Sequence, residues 1–189
     1  MKKIVLTFGL IAGVILATMM LLSMIFQDEI GLGHSYLLGY ATMVAAFLLI
    51  YFGIRSYRDN VAGGTVGFGR AFTVGILIGA VASACYVAAW EVYFFRYAPD
   101  FLTKYNAHEL EAARAKGESE EALAKRKTEM DSFEKIYANP AINSAMTFLE
   151  PLPVALIVSL VSAGVLSRRR KSWTGQGDAI PGPGAPATP

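Results

Sequence analysis

IVLTFGLIAGVILATMMLLSMIF, residues 4–26, runs for 23 residues without a charged side chain. At about 1.5 Å of rise per residue, a helix of that length exceeds the ~30 Å hydrocarbon core of a bilayer. The stretch therefore predicts a membrane-spanning helix. Its apolar run is longer than the roughly 7–15 residues of a signal-peptide core. No small-residue cleavage site precedes Gln27, so an uncleaved first span is expected despite the Lys2, Lys3 start.

Three further segments of the same kind follow. Residues 36–54 are uncharged and just long enough to cross, after a short loop with Asp28, Glu29 and His34. A third span is expected over 71–95, where the uncharged run Ala71 to Trp90 continues through Glu91 into Tyr93, Phe94 and Phe95, an aromatic group suited to the membrane interface. The fourth, 145–166, carries Glu150, Pro151 and Pro153 near its start, so its first turn cannot be a fully bonded helix. The expected fold class is an all-α membrane protein of four transmembrane helices, residues 1–171, with a helical hairpin between helices three and four.

Composition agrees. Only 17% of the 189 residues are charged and 54% are apolar, against about 25% charged in an ordinary soluble domain. Seventeen Lys and Arg balance 15 Asp and Glu, too even a ratio for a nucleic-acid partner. One cysteine, Cys85, and two histidines leave no Cys/His cluster of metal-site spacing, and no metal or cofactor is expected.

Charge placement sets the expected orientation. With four spans, Lys2, Lys3, Arg55, Arg58, Arg70, Arg168, Arg169, Arg170 and Lys171 all fall on one side. That side is expected to be the cytoplasm, with both termini inside a bacterial inner membrane. Arg55, Arg58, Arg70 and the 168–171 cluster would then meet anionic lipid headgroups. The opposite side receives the acidic loop and the long connection 96–144, where eight basic residues meet nine acidic ones.

Small residues recur at four-residue spacing: Gly9, Gly13 and Ala17; Gly75, Gly79 and Ser83; Ala155, Ser159 and Ala163. Such ladders let helix backbones approach closely where lipid supplies no hydrophobic drive between them. They fit packing within a four-helix bundle best, since one chain already supplies enough faces, with a homo-oligomer as the alternative.

In the 96–144 connection, Asp100 after Pro99 is an expected N-cap and Gly117 an expected stop. Leu102, Tyr105 and Leu110 share a face of one arm; Met130, Phe133, Ile136 and Tyr137 line the other. That stripe needs a cover: the first arm, the mouth of the bundle, or a membrane or periplasmic protein partner. His108, Glu109 and Glu111 are neighbours that point in different directions on a helix and read as a solvated face. Gly63, Gly64, Gly67 and Gly69 lack the Lys-Ser/Thr of a phosphate loop. They read instead as a tight re-entry into the third span, with Val66 and Phe68 dipping into the interface. The segment 172–189, whose last 15 residues hold four glycines and four prolines, reads as a disordered cytoplasmic tail.

Glu91 and Glu150 are the sharpest functional candidates. If the third helix runs outward and the fourth returns, both lie about one turn inside the outer boundary. An ionisable side chain in a span calls for a partner or a use. One reading pairs them as a proton or cation site, with Pro151 and Pro153 freeing the carbonyls of Thr147 and Leu149 as ligands. The other makes Pro151 the first residue of the true fourth helix, Glu150 its interfacial N-terminus, and Glu91 a partner of Arg96. No Ser or Cys nucleophile stands near a His, and no catalytic residue is assigned.

GYATMV at 39–44, AFLLIYFGIRSYRDNVAGGTVGFGRAF at 46–72 and TFLEPLPV at 147–154 are family-like. Over roughly Met1 to Leu166 the chain resembles the domain of unknown function 4199 family of bacterial integral membrane proteins. The resemblance implies a four-helix membrane domain and carries no activity or site residue with it. The expectation is a non-enzymatic accessory or interaction protein. The competing class is a small proton- or cation-coupled transporter using Glu91 and Glu150, and a membrane enzyme stands third.

Overall fold

The computed structural model describes residues 1–26 and 32–167, the side chains of 32–38 excepted. The acidic loop with Asp28 and Glu29, the His34 side chain, the Arg168, Arg169, Arg170 and Lys171 cluster and the tail 172–189 lie outside the described residues. The chain forms α1 (Lys2–Ile25), α2 (Leu32–Asn60), α3 (Phe68–Val92), a π-helical turn (Tyr93–Tyr97), α4 (Phe101–Ala115), α5 (Glu120–Tyr137), α6 (Pro140–Leu149) and α7 (Leu152–Leu166). Among the described residues there is no strand, and four stretches are long and apolar enough to cross a membrane: α1, Gly39–Asn60 of α2, Phe68–Tyr97, and Pro140–Leu166.

Glycines and small side chains decide how these helices meet. A Cβ built on Gly9 would lie 2.7 Å from the Cβ of Val81, and one on Gly13 would lie 2.6 Å from that of Cys85. Four residues along α1 match four along α3 in the same direction, so the two run parallel. On the other face of α3, Gly75 meets Ser159 and Gly79 meets Ala155. Here a step forward on α3 is a step back on α7, and the pair is antiparallel. Helix α2 closes the bundle through Ile50 and Ile54, which reach Gly79 and Gly75, and through Gly53, which receives Ile78 and Phe8. Helices α1 and α7 thus flank a central pair, α2 and α3, whose Phe47, Ile50, Ile54, Val74 and Ile78 are fully buried.

The outer surface is the inverse of a soluble protein's. Leu6, Leu10 and Val14 on α1, and Leu156, Ile157, Val161 and Val165 on α7, are exposed while Gly, Ala and Ser face inward. Large apolar side chains outside and small ones inside are the pattern of helices packed in lipid. The chain is a multi-pass membrane protein.

Three boundaries differ from the sequence expectation. First, α2 continues past residue 54 to Asn60, because Arg55, Arg58 and Asp59 make their ion pairs along the helix itself and Asn60 bonds back to the Ser56 carbonyl at 3.0 Å. Gly63 and Gly64, at φ +67° and +87°, then end it with the Gly64 N–H donating to the Arg58 carbonyl. Second, Phe94 is buried at the start of the π turn, edge-on to Tyr137, so Tyr93, Phe94 and Phe95 do not form one interfacial belt. Third, the fourth span starts at Pro140, where the Asn139 side chain caps the backbone N–H of Ala141 at 2.9 Å. It is broken at Glu150 and Pro151, so a ten-residue helix precedes the prolines, and Glu150 lies between the end of that helix and Pro151, the N-cap of α7.

The hairpin α4–α5 turns at Gly117, φ +83°. Asp100 precedes α4 without a capping bond; its carboxylate pairs instead with Lys104 at 2.7 Å, which holds it below the usual carboxylate range. Ser119 caps α5 by accepting from the Ala122 N–H. Between the arms, Glu134 accepts from Thr103 at 2.7 Å and Asn106 at 3.2 Å, and near the turn Ala113 and Leu123 are buried. His108 and Glu111 are exposed.

Candidate functional site

Where α3 leaves the bundle, Tyr86 and Trp90 stand one turn apart on a buried face. Trp90 Nε1 donates to Asn143 Oδ1 at 2.9 Å. Asn143 is wholly buried, and its Nδ2 donates to the Tyr137 carbonyl at 3.3 Å while Oδ1 also accepts from Thr147 Oγ1 at 3.4 Å. The Tyr137 and Thr147 hydroxyls lie 3.1 Å apart. One amide thus ties α3 to the end of α5 and to α6, and every polar arm of Asn143 has a partner, as burial demands. Burial raises the Tyr137 phenol above its ordinary range, so it stays a neutral hydrogen-bonding group.

The same register places the two candidate carboxylates on different partners. Ser144 Oγ donates to Glu91 Oε1 at 2.8 Å, and the Tyr86 hydroxyl donates to Glu150 Oε2 at 3.2 Å. Glu91 therefore faces α6, not Arg96, and the two glutamates do not share a hydrogen-bonding partner. Glu150 alone opens onto a cavity of about 350 Å³ between the bundle and the hairpin.

That cavity is built from side chains far apart in sequence. Helix α1 supplies Leu16, Met19, Met20 and Met24; α2 supplies Tyr40, Thr42 and Met43. Tyr86 and Trp90 form one wall, with Thr147 and Glu150 beside them. The hairpin closes the site with Phe101, Leu102, Tyr105, Phe133 and Tyr137. Trp90 meets Phe101 edge-on at 5.5 Å between ring centres, and Phe133 stacks on Tyr137 at 5.3 Å. Aromatic pairs of this geometry add to what burial alone provides. Of the apolar stripe on α5, Tyr137 is half-buried against the mouth of the bundle, while Phe133, at the cavity rim, and Ile136 stay exposed.

At the far end of the molecule, Arg55, Arg58, Asp59, Thr65 and Val66 line a groove of about 960 Å³. Asp59 holds Arg58 at 2.7 Å and Arg55 at 3.7 Å, whereas Arg70 is exposed. Val66 is buried and Phe68 is exposed, stacked on Phe72.

A family model described as "Protein of unknown function (DUF4199)" matches residues 7–168. The chain belongs to this family. No curated protein and no solved structure matches it. All the residues of the cavity, of the Asn143 network and of the arginine groove fall within the segment that DUF4199 describes.

Of the residues singled out in the sequence, Gly9, Gly13, Gly75 and Gly79 are packing contacts, Pro151 and Pro153 open α7, and Glu150 is at the cavity while Glu91 is not. Tyr86, Trp90 and Asn143 were missed as site residues, and Tyr137 and Thr147 were read only as part of an apolar stripe and as a freed carbonyl, not for their hydroxyls. Their one legible signal is Asn143 and Thr147, two polar side chains a helical turn apart in an apolar segment that then reaches Glu150.

Proposed function

We propose that this DUF4199 protein is a non-enzymatic membrane protein that binds a small apolar or amphipathic molecule in the cavity between its bundle and its hairpin. The observation that carries the reading is the cavity itself, about 350 Å³ and walled by aromatic and methionine side chains with a few polar groups. Sites for drug-sized ligands have this size and this mixture. Methionine adapts its shape to a ligand, and aromatic rings offer large, rigid contact area. Lys2, Lys3, Arg55, Arg58 and Arg70 gather at the end remote from the hairpin, so the positive-inside rule puts the cavity toward the outer face of the cytoplasmic membrane.

A ligand that binds only the folded state stabilises it by RT ln(1 + L/Kd) at free ligand concentration L, so its Tm rises with ligand concentration. Thermal unfolding in detergent with a panel of neutral, cationic and anionic aromatic compounds tests the proposal. At least one class is expected to raise the Tm of the wild type and to leave the cavity-filled variant Met43→Trp unmoved. If none does, the cavity is not a binding site.

The second reading, a proton- or cation-coupled carrier, is favoured by one observation: Glu150 sits on the cavity at a break in a spanning helix. Dissipation of an imposed proton gradient in proteoliposomes, abolished in Glu150→Gln, would establish it. Flux no greater than in empty liposomes excludes proton coupling.

A further inference from the structure

The cavity has a charge character as well as a shape, and the selectivity this implies rests on the binding role proposed for it. Among the described residues that line it, Glu150 is the sole carboxylic acid, and none is Lys, Arg or His. The Tyr86 hydroxyl donates to that carboxylate at 3.2 Å, fixing one oxygen and leaving the other for a ligand. The same cavity is lined by the rings of Tyr40, Tyr86, Trp90, Phe101 and Tyr105. Ring faces carry the negative part of the aromatic quadrupole and attract cations, most strongly Trp and Tyr out of water. Carboxylate and ring faces therefore favour the same sign of charge, and polarisable methionines complete the wall.

We propose that the cavity binds a lipophilic monovalent cation, a delocalised or quaternary centre carrying aromatic or alkyl groups, with Glu150 as its counter-charge. A small hydrated metal ion does not fit this lining, because it needs several oxygen ligands and the walls are mostly rings and thioethers. A lipophilic anion would face both the carboxylate and the ring quadrupoles with the wrong sign. A neutral molecule of the same shape gains the apolar contacts alone.

Tetraphenylphosphonium and tetraphenylborate have nearly the same shape and opposite charge, and triphenylphosphine oxide is a neutral relative. Each is titrated into the full chain in zwitterionic phosphatidylcholine nanodiscs. The background is Trp173→Phe, which leaves Trp90, at the cavity wall, as the one tryptophan of the chain. Saturable change in Trp90 emission is expected with the phosphonium, and at least tenfold weaker binding with the borate. Glu150→Gln should weaken the phosphonium about tenfold, the scale of one close charge pair across a binding interface, leave the oxide unchanged, and be reversed in part by Glu150→Asp. Unchanged oxide binding also reports that the variant has kept its cavity. Equal affinity for all three probes, or a phosphonium affinity insensitive to Glu150→Gln, overturns the cation inference while sparing the binding cavity. Absence of saturable binding by every probe overturns both.

Discussion

Ser83 and Ser159 are fully buried, and their hydroxyls have no hydrogen-bond partner among the described residues. An unpaired hydroxyl away from water is a cost that its removal relieves. Ser159 also stands against Gly75, where a Cβ would come within 2.9 Å of its Oγ. Ser159→Ala is therefore expected to leave the thermal stability unchanged or to raise it, by up to ~1 kcal/mol. Asn143 is the opposite case, since each of its polar atoms is matched. Asn143→Ala strands the Trp90 indole N–H in a buried site, and a loss of roughly 1–2 kcal/mol is expected, interhelical hydrogen bonds in membranes averaging less than one each. Parallel thermal unfolding of the two variants in the same detergent checks both. A loss in Ser159→Ala would show that its hydroxyl stabilises the bundle, and no loss in Asn143→Ala would show that the amide network does not bind the elements together.

At the level of the helix, close approach separates glycines that look alike in sequence. Gly13→Ala would place its Cβ 2.6 Å from that of Cys85, across an α1–α3 contact in which both backbones are held. Overpacking of this kind is expected to cost ~1–3 kcal/mol. At Gly164 no atom lies within 4 Å of the added Cβ, and Gly164→Ala is expected to be neutral or to stabilise α7 by up to ~1 kcal/mol. Detergent-resistant folding of the pair, followed by thermal denaturation, tests the contrast, and similar losses would remove the case for close packing at Gly13. The four-residue spacing of Gly9, Gly13, Gly75 and Gly79 made these contacts legible, because helix geometry turns that spacing into a stripe. Gly53 was not legible: Leu49 and Tyr57 stand one turn to either side, yet Ile78 packs into it from α3. The break at Pro151 was legible because proline removes a donor. The start at Pro140 was not, since Asn139-Pro140 reads as a loop until its amide is seen to cap the helix. The cavity was the least legible feature, since α1, α2, α3, α5 and others each contribute side chains that look like ordinary apolar filling.

The whole bundle inherits its polarity from these pairings. With α1 parallel to α3 and both antiparallel to α7, the start of α1, the turn after α2 and the end of α7 lie at one end, and the hairpin lies at the other. Arg55 and Arg58 carry Asp59 with them, but orientation follows Lys and Arg near the span ends, and acidic residues contribute little. By that rule Lys2, Lys3, Arg55, Arg58 and Arg70 support the proposed orientation, with their end in the cytoplasm, whereas the hairpin mixes acid and base almost evenly. Single cysteines in a Cys85→Ala background test this, because Cys85 is the one native thiol. Glu121→Cys on the hairpin and Thr65→Cys in the turn after α2 are both exposed positions. In intact bacterial spheroplasts a membrane-impermeant maleimide is expected to label Glu121→Cys at once, and Thr65→Cys only after lysis. The reverse pattern would invert the bundle and turn the cavity toward the cytoplasm. Rapid labelling of both without lysis would mean that the two ends do not lie on opposite sides, which a bundle of four crossing helices cannot satisfy.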